Sequence, residues 1–471
     1  MKSLLPLALL CHSALQSADA ETIRPNIVFI EVDDLSYKYV GCLNSPVART
    51  PNIDALAERG VIFRNAVAPG TMCAPSRNAL ITALYPHNLG LYQNGDMRQL
   101  PQGVWTFPKA LQRSGYYTAW VGKCHVRPYA HFKNPNALAE EMGFDLARHT
   151  LGRTMIGQGK TKSDDWYVNH LKERGLLEHF NREYSGKTPT TLPEDDYLDG
   201  FFTRTAIDFL DGYHEGKPLF LWVNYSLPHD PHDAPQEYQD LFKPADMPGV
   251  NKADFVHPPN LIARTKKAGP ENKVKNEQAG YCASIAYLDR QVGRVMQALE
   301  KKGILDNTVV VFFSDQGLMA GDHGLKDKCT LFQQITNPAL IISAPKRFAS
   351  GRTVQNVVSL NDLVFTTLDL AGANASEKTL PDLYSLMPLL TGEEGYAREA
   401  AFAEIEGYVA AVRGNYRYIR GADASLLFDE SVDPDDLKNI AAEHPEIVEQ
   451  MSRDIDNWFK QTGAPLPPKS F

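Results

Sequence analysis

Five short runs of apolar, β-branched and aromatic residues set the terms for this chain: "NIVFIEV" (Asn26–Val32), "YTAWVG" (Tyr117–Gly122), "PLFLWVNYS" (Pro218–Ser226), "TVVVFFS" (Thr308–Ser314) and "PALIIS" (Pro338–Ser343). None alternates strictly between apolar and polar, so none reads as a strand with one wet face. Runs of this kind are central strands covered on both sides. Between them lie helical patterns. "DALAERG" and "FPKALQRSG" each stop at a glycine, and "YCASIAYLDRQVGRVMQALEKKG" has apolar residues at helical spacing, basic residues in its last turn and Gly303 after it. Strands alternating with helices predict an α/β fold with a large, mostly parallel central sheet sandwiched by helices. A core of that size needs many apolar residues, and 43% of the 471 residues are hydrophobic.

The pattern changes along the chain. Residues 150–198 are polar with few apolar runs and read as an insertion or lid over the sheet. Lys243–Lys275 is rich in Pro, Lys and Asn and reads as a long surface loop. Beyond about Thr353 the alternation weakens. "AAFAEIEGYVAAVRGNYRYIRG" predicts short antiparallel strands with a turn at "GN", and "HPEIVEQMSRDIDNWFKQTG" predicts a closing amphipathic helix. The expected organisation is a leader at 1–20, a catalytic domain at 21–355 and a smaller C-terminal α+β subdomain at 356–471.

Ligands of open α/β sheets bind beyond the carboxyl ends of the strands, so the residues after each run carry the argument. They are Asp33-Asp34, Lys123-Cys124-His125, "LPHDPH" with His229 and His232, and Asp315-Gln316-Gly317 followed by "GDHGLKDK". Taken singly, each has a plain explanation as a cap, a turn or a structural histidine. Together they bring carboxylates, an amide, two lysines and histidines to one edge. Asp33, Asp34, Asp315 and Gln316 offer oxygen donors only, which suits Ca²⁺ or Mg²⁺ better than zinc. Lys123, Lys328 and Arg77 add positive charge that a metal site does not need for itself, and this fits a tetrahedral oxyanion. His125 and His229 are suited to proton transfer near neutral pH.

The start of the chain reads as a secretory leader: Lys2, a short apolar run, and "ADA" at Ala18–Ala20 as a cleavage site. The protein is therefore expected to be exported, periplasmic or extracellular, with no membrane span. Its net charge of −9 argues against a general affinity for nucleic acid. Removal of the leader leaves Cys42, Cys73, Cys124, Cys282 and Cys329, an odd number, so at least one thiol stays unpaired. One of them, Cys73, stands in the frame Cys73-x-Pro75-x-Arg77 ahead of a helical pattern.

With that frame in place the chain resembles a type I sulfatase of the alkaline phosphatase superfamily. The motifs are "NIVFIEVDDL", "CAPSRNALITALYPHNLG", "GYYTAWVGKCHV", "SLPHDPH", "SDQGLMAGDHGLKDK" and "LLFDESVDPDDLKNIAAEHPE", spread over nearly the whole chain. The resemblance implies an alkaline phosphatase-like fold and oxidation of Cys73 to formylglycine by a formylglycine-generating or sulfatase-maturating enzyme. The hydrated aldehyde is then the nucleophile, and a covalent sulfo-enzyme intermediate breaks down by re-forming the aldehyde. One Ca²⁺ (or Mg²⁺) is implied, held by Asp33, Asp34, Asp315, Gln316 and the hydrated residue 73. Arg77 steadies that residue, Lys123 and Lys328 bind sulfate, His125 pairs with the gem-diol and His229 protonates the leaving group.

Two positions depart from the family pattern. Gln316 stands where many members have Asn or His, and Ala83 where Gly is usual. Cys124 and Cys329 flank two of the lysines, but a disulfide between them is not expected. A phosphodiesterase or phosphonate monoester hydrolase on the same fold is the first alternative; a catalytically inactive carbohydrate-binding homologue is the second. The expected substrate is a sulfated carbohydrate such as a glycosaminoglycan or algal polysaccharide fragment. His87, Asn94, Asp96, Asp322 and His323 are candidate sugar contacts or else caps and turns. The basic stretch "RTKKAGPENKVK" is either a steering element for a polyanion or a solvated loop.

Overall fold

The computed structural model describes residues 24–95, 100–101, 103–126, 140–159, 165–186, 188–374 and 382–463. The expected leader at 1–20 and the candidate Asp96 lie outside them. Eight strands form the large sheet: β1 (Asn26–Asp33), β2 (Gly60–Val67), β3 (Tyr117–Lys123), β4 (Leu146–Thr150), β5 (Leu219–Pro228), β6 (Thr308–Ser314), β7 (Leu340–Ser343) and β8 (Arg352–Ser359). Their order is β4-β3-β5-β1-β6-β7-β2-β8. β7 runs antiparallel to both neighbours, and every other pairing is parallel.

All five apolar runs are strands, and their side chains feed two cores by strict alternation. On β1, Val28, Ile30 and Val32 join one core while Ile27 and Phe29 join the other; β6 divides Val310 and Phe312 from Val309, Val311 and Phe313 in the same way. One face is covered by α1 (Pro51–Glu58), the other by α2 (Cys73–Thr82) and α3 (Phe107–Arg113). On that second face Trp120 and Trp222 stack at 5.5 Å between ring centres, with Phe29 edge-on to Trp222.

The region 150–198 is not a lid. It supplies α4 (Trp166–Glu173) and α5 (Leu177–Gly186), which place Tyr167, Val168, Leu171 and Phe180 in the same core as α1. Amphipathic helices bury isolated residues rather than runs, so the segment looked polar. α6 (Leu198–Gly212) and the long α7 (Glu271–Lys301) complete that layer. The strand β8 crosses residue 355, and α8 (Asp362–Ala371) packs into the second core. The antiparallel sheet β9 (Ala401–Ile405), β10 (Tyr408–Arg413), β11 (Tyr416–Gly421) and β12 (Ala424–Asp429) follows, with Gly414-Asn415 as the expected turn, and α9 (Pro445–Thr462) closes the fold. Among the described residues no helix is long and apolar enough to cross a membrane.

Candidate active site

The register of the sheet assembles the site. β3, β5, β1 and β6 are parallel neighbours, so their carboxyl ends open on one edge. Val32 is level with Ser314, which brings Asp33-Asp34 beside Asp315-Gln316 although 281 residues separate Asp34 from Asp315. The Asp34 amide donates to Asp315 Oδ1 at 3.2 Å, and Ser314 Oγ accepts from the Leu35 amide at 2.9 Å. Asp34 has a φ of 67°, and the Tyr281 hydroxyl on α7 donates to its carbonyl while accepting from the Ser36 amide, which holds that left-handed turn.

Cys73 is the first residue of α2, and Arg77 lies one turn on, on the same helix face. Arg77 is fully buried. Its Nε donates to Asp315 Oδ2 at 2.8 Å, and its Nη1 donates to Asn224 Oδ1 at 2.8 Å and lies 3.2 Å from Glu31 Oε2. Glu31 and Asn224 face each other across β1 and β5. Sequence reading passed over both, because each sits inside an apolar run. The available signal was a charged or amide side chain in a strand otherwise too apolar to tolerate one. Burial pushes the Glu31 carboxyl up to about 7, against the pull of Arg77.

Cys73 Sγ is the centre of the cluster. Its thiol donates to Asp33 Oδ1 at 3.1 Å; Lys328 Nζ lies 3.1 Å away, Gln316 Nε2 3.4 Å and Lys123 Nζ 4.0 Å. Lys328 Nζ also donates to Asp34 Oδ1 and Oδ2 at 2.7 and 2.6 Å, and Lys123 pairs with Asp33. Burial pushes the Cys73 thiol up to about 12 and draws Lys123 down to about 7, the latter helped by the neighbouring charge of Lys328. Burial pulls on Lys328 as well, but the surrounding negative groups, Asp34 foremost and Asp315 with it, together outweigh burial and raise it. His229 Nε2 lies 3.7 Å from Asp34 Oδ2, and its Nδ1 donates to the Asp230 carbonyl at 2.8 Å. His125 follows β3 directly, and its carbonyl accepts from Asn78 Nδ2 of α2 at 3.2 Å.

The cluster opens on a cavity of about 850 Å³. The stretch Arg264–Lys275 is not merely a solvated loop: Arg264, Lys266 and Lys273 line this cavity together with Lys326 and Lys328. The Lys326 amide donates to the Lys266 carbonyl at 2.8 Å and the Ala268 amide to the Gly324 carbonyl at 2.7 Å, so the loop is laced to the segment that carries Lys328. The remaining sugar-contact candidates have structural partners. Asn94 Oδ1 accepts from the Ala74 amide at the start of α2. His87 is buried between Glu404 and Thr462. Asp322 pairs with Lys38, and His323 bonds His257 and the Asp435 carbonyl. All five described cysteines are free thiols, Cys124 and Cys329 included.

A sequence profile of the sulfatase family matches residues 25–373. The chain belongs to the sulfatase family. It is 29% identical over 445 residues to a choline-sulfatase of Rhizobium meliloti, spanning 89% of this chain and 83% of that one. It is 28% identical over 511 residues to an N-acetylglucosamine-6-O-sulfatase of Bacteroides thetaiotaomicron, spanning 97% and 90%. Among solved structures it superimposes on a phosphonate monoester hydrolase of Agrobacterium radiobacter with a TM-score of 0.80 at 25% identity, covering 93% of this chain and 96% of that one. This sulfatase is a sulfuric ester hydrolase with an alkaline phosphatase-like fold. Sulfatases use a metal ion, and the donor set here fits one. Ligand atoms of Asp33, Asp34 and Cys73 lie within 4.8 Å of one another, and Gln316 Oε1 is buried with no hydrogen-bond partner among the described residues.

Glu31→Gln removes one of the two carboxylates that hold Arg77 in this sulfatase while keeping the shape of the side chain. Residues that support an active-site group in this way typically matter by 10- to 100-fold. The expected result is a fall of that order in kcat, with the fold retained; steady-state kinetics on nitrophenyl sulfate and a melting curve check it.

Proposed function

We propose that this sulfatase is an exported enzyme that removes sulfate from sulfated carbohydrates, using a formylglycine made from Cys73. The observation that carries the reading is the setting of residue 73. Its side chain stands among Asp33, Gln316 and two lysines, and its neighbours Asp34 and Lys328 line a cavity large enough for a sugar ring. The cavity wall also favours a sugar over a quaternary ammonium compound. Apart from His229 and His232, Tyr281 is the single aromatic side chain among its described lining residues, so the described wall holds no aromatic cage for a choline-like head group. The N-acetylglucosamine-6-O-sulfatase of Bacteroides thetaiotaomicron, similar over 97% of this chain, supports the same choice.

The proposed chemistry assigns each residue a step. One hydroxyl of the hydrated aldehyde at position 73 passes its proton to Asp33, the acceptor beside this side chain, and attacks sulfur, and an O–S bond forms as the bond from sulfur to the sugar oxygen breaks. His229 donates the proton that the departing oxygen needs. The second hydroxyl then passes its proton to His125, the C=O bond re-forms, sulfate departs and water rehydrates the aldehyde. Lys123 and Lys328 hold the sulfate oxygens, and Arg77 fixes the orientation of residue 73. A Ca²⁺ or Mg²⁺ ion held by Asp33, Asp34, Asp315 and Gln316 would add positive charge that favours ionisation of the attacking hydroxyl. Cys73 and Arg77 are buried in the folded chain, so a maturation enzyme would act on this stretch before α2 docks.

A second reading has one observation in its favour, the structural likeness to a phosphonate monoester hydrolase. A panel of defined sulfated oligosaccharides, with aryl phosphonate monoesters and choline sulfate as counter-substrates, decides between the readings. The expected result is highest kcat/KM on a sulfated sugar, lost on chelation and restored by Ca²⁺ or Mg²⁺. A phosphonate turned over best would favour the second reading.

Peptide mass spectrometry of active enzyme is expected to show residue 73 with its sulfur lost, and Cys73→Ser at most to stall as a sulfated enzyme. Full activity with unmodified Cys73 would end the formylglycine mechanism.

The acid role of His229 is open to a leaving-group test. A sugar alkoxide needs its proton, whereas nitrophenolate leaves with little help, and a general acid contributes about 10²- to 10⁴-fold. His229→Ala is expected to lower kcat/KM on a sugar sulfate by that amount and to spare nitrophenyl sulfate. His125→Ala is expected to impair both, because release of sulfate from residue 73 follows the departure of the alcohol.

A further inference from the structure

From the end of β5 we infer that Asp199 is a positioning residue for His229, aiming it at the leaving oxygen by holding the backbone that carries it. The inference rests on the acid role proposed for His229.

Along β5 the ladder to β1 is regular as far as Asn224, opposite Glu31, and the next pairing sets Pro228 opposite Asp33. Two steps on β1 therefore match four on β5, so Tyr225, Ser226 and Leu227 bulge out of register. The pairing to β3 also ends at Asn224, opposite Gly122. The amides of Ser226 and Leu227 lose their ladder partners where the strand is still buried, and a buried unpaired amide is costly. Asp199 replaces both partners. It lies in the first turn of α6, 1% exposed, and its Oδ1 accepts from the Ser226 amide at 2.6 Å and the Leu227 amide at 3.1 Å. The Ser226 carbonyl in turn accepts from the His229 amide at 3.2 Å, so the clamp is one turn from the imidazole.

The helix side of the clamp is tied down as well. Thr203 Oγ1 donates to the Asp199 carbonyl at 2.9 Å and shares a 2.8 Å hydrogen bond with the Tyr225 hydroxyl. On its other side Gly152 stands beside both the bulge and the stem of Lys123: a Cβ there would lie 3.3 Å from Lys123 Cε and 3.4 Å from Ser226 Oγ. Asp199 touches neither Cys73 nor Lys328; its negative charge also favours the charged form of Lys123, an effect common to both substrates, whereas its hold on His229 runs through the backbone.

The test compares kcat/KM on a sugar sulfate and on nitrophenyl sulfate for Asp199→Asn, Asp199→Ala, His229→Ala and the double variant Asp199→Ala/His229→Ala, with melting curves. Misplacement of a catalytic group by about 1 Å can cost 10²-fold. Asp199→Ala is expected to lose about that much on the sugar sulfate and less than about threefold on nitrophenyl sulfate, and to add nothing once His229 is gone. Asp199→Asn keeps an oxygen acceptor and is expected to retain the wild-type ratio between the substrates. Should Asp199→Ala not fold, Asp199→Ser carries the same expectation, since its shorter side chain does not reach the two amides. Equal losses on both substrates, an unchanged ratio, or a changed ratio in Asp199→Asn would each overturn the positioning role. If His229→Ala itself shows no leaving-group dependence, the acid reading fails and this inference with it. If His229→Ala shows the dependence and Asp199→Ala does not, this inference alone fails.

Discussion

The guanidinium of Arg77 is the interaction on which the site depends. It joins the helix that begins with Cys73 to three parallel strands at once, through Glu31 of β1, Asn224 of β5 and Asp315 beyond β6. Ser76 adds a hydroxyl to the Asp315 carbonyl at 2.6 Å, and Asn78 reaches the His125 carbonyl. The start of α2 is thereby registered against the strand ends to within hydrogen-bond tolerance. A buried arginine is an expensive means of doing this. Stripped of its partners it would cost about 3–5 kcal/mol, so each partner offsets part of the penalty of burying it. That price is the reason Glu31, a carboxylate in the middle of a central strand, is tolerated.

The same arrangement explains how so many like charges coexist. Asp33, Asp34 and Asp315 converge at the ends of two neighbouring strands, where without compensation each would resist ionisation of the others. Lys123 and Lys328 stand against the first two and Arg77 against the third. Two of these cations are flexible lysines rather than fixed arginines. Lysines can turn from carboxylate to an arriving sulfate, whereas Arg77 is locked by its fork of contacts. The division matches the two tasks of the proposed reaction: a rigid mount for residue 73 and adjustable donors for the substrate.

Much of this was legible in the sequence, for a specific reason. In a parallel sheet the carboxyl ends of the strands share one edge, so the residues after each apolar run can be pooled without knowing the strand order. Asp33, Lys123, His229 and Asp315 were found in that way. What escaped did so on physical grounds. β4 and β8 lie at the two edges of the sheet and are half-exposed and polar. β2 is interrupted by Arg64 and Asn65. The reversed direction of β7 leaves no trace in a burial pattern, because periodicity carries no sense of direction. Ala83 shows the limit of reasoning from a familiar glycine. The residue caps α2 with a φ of 57°, a left-handed conformation that glycine adopts freely and alanine at a cost of about 1–2 kcal/mol. Glu31, Asn224 and Asp199 have no motif; only the bookkeeping of buried polar groups finds them.

The cavity wall carries the argument from site to substrate. Three of its basic residues are paired with carboxylates. Lys266 faces Asp327 at 2.7 Å, Lys326 faces Glu277 at 2.6 Å and Arg264 faces Glu406 at 2.6 Å. In a protein of net charge −9, an unpaired basic wall would fold against few opposing costs and attract any anion. A wall of exchangeable pairs behaves differently. An anionic sugar gains contact with a lysine only by displacing the carboxylate already there, so the net gain per contact is small and depends on geometry. Such a surface discriminates by fit rather than by charge. Under the proposed mechanism Lys123 and Lys328, each paired with a carboxylate beneath this wall, turn to the sulfate that is to be removed.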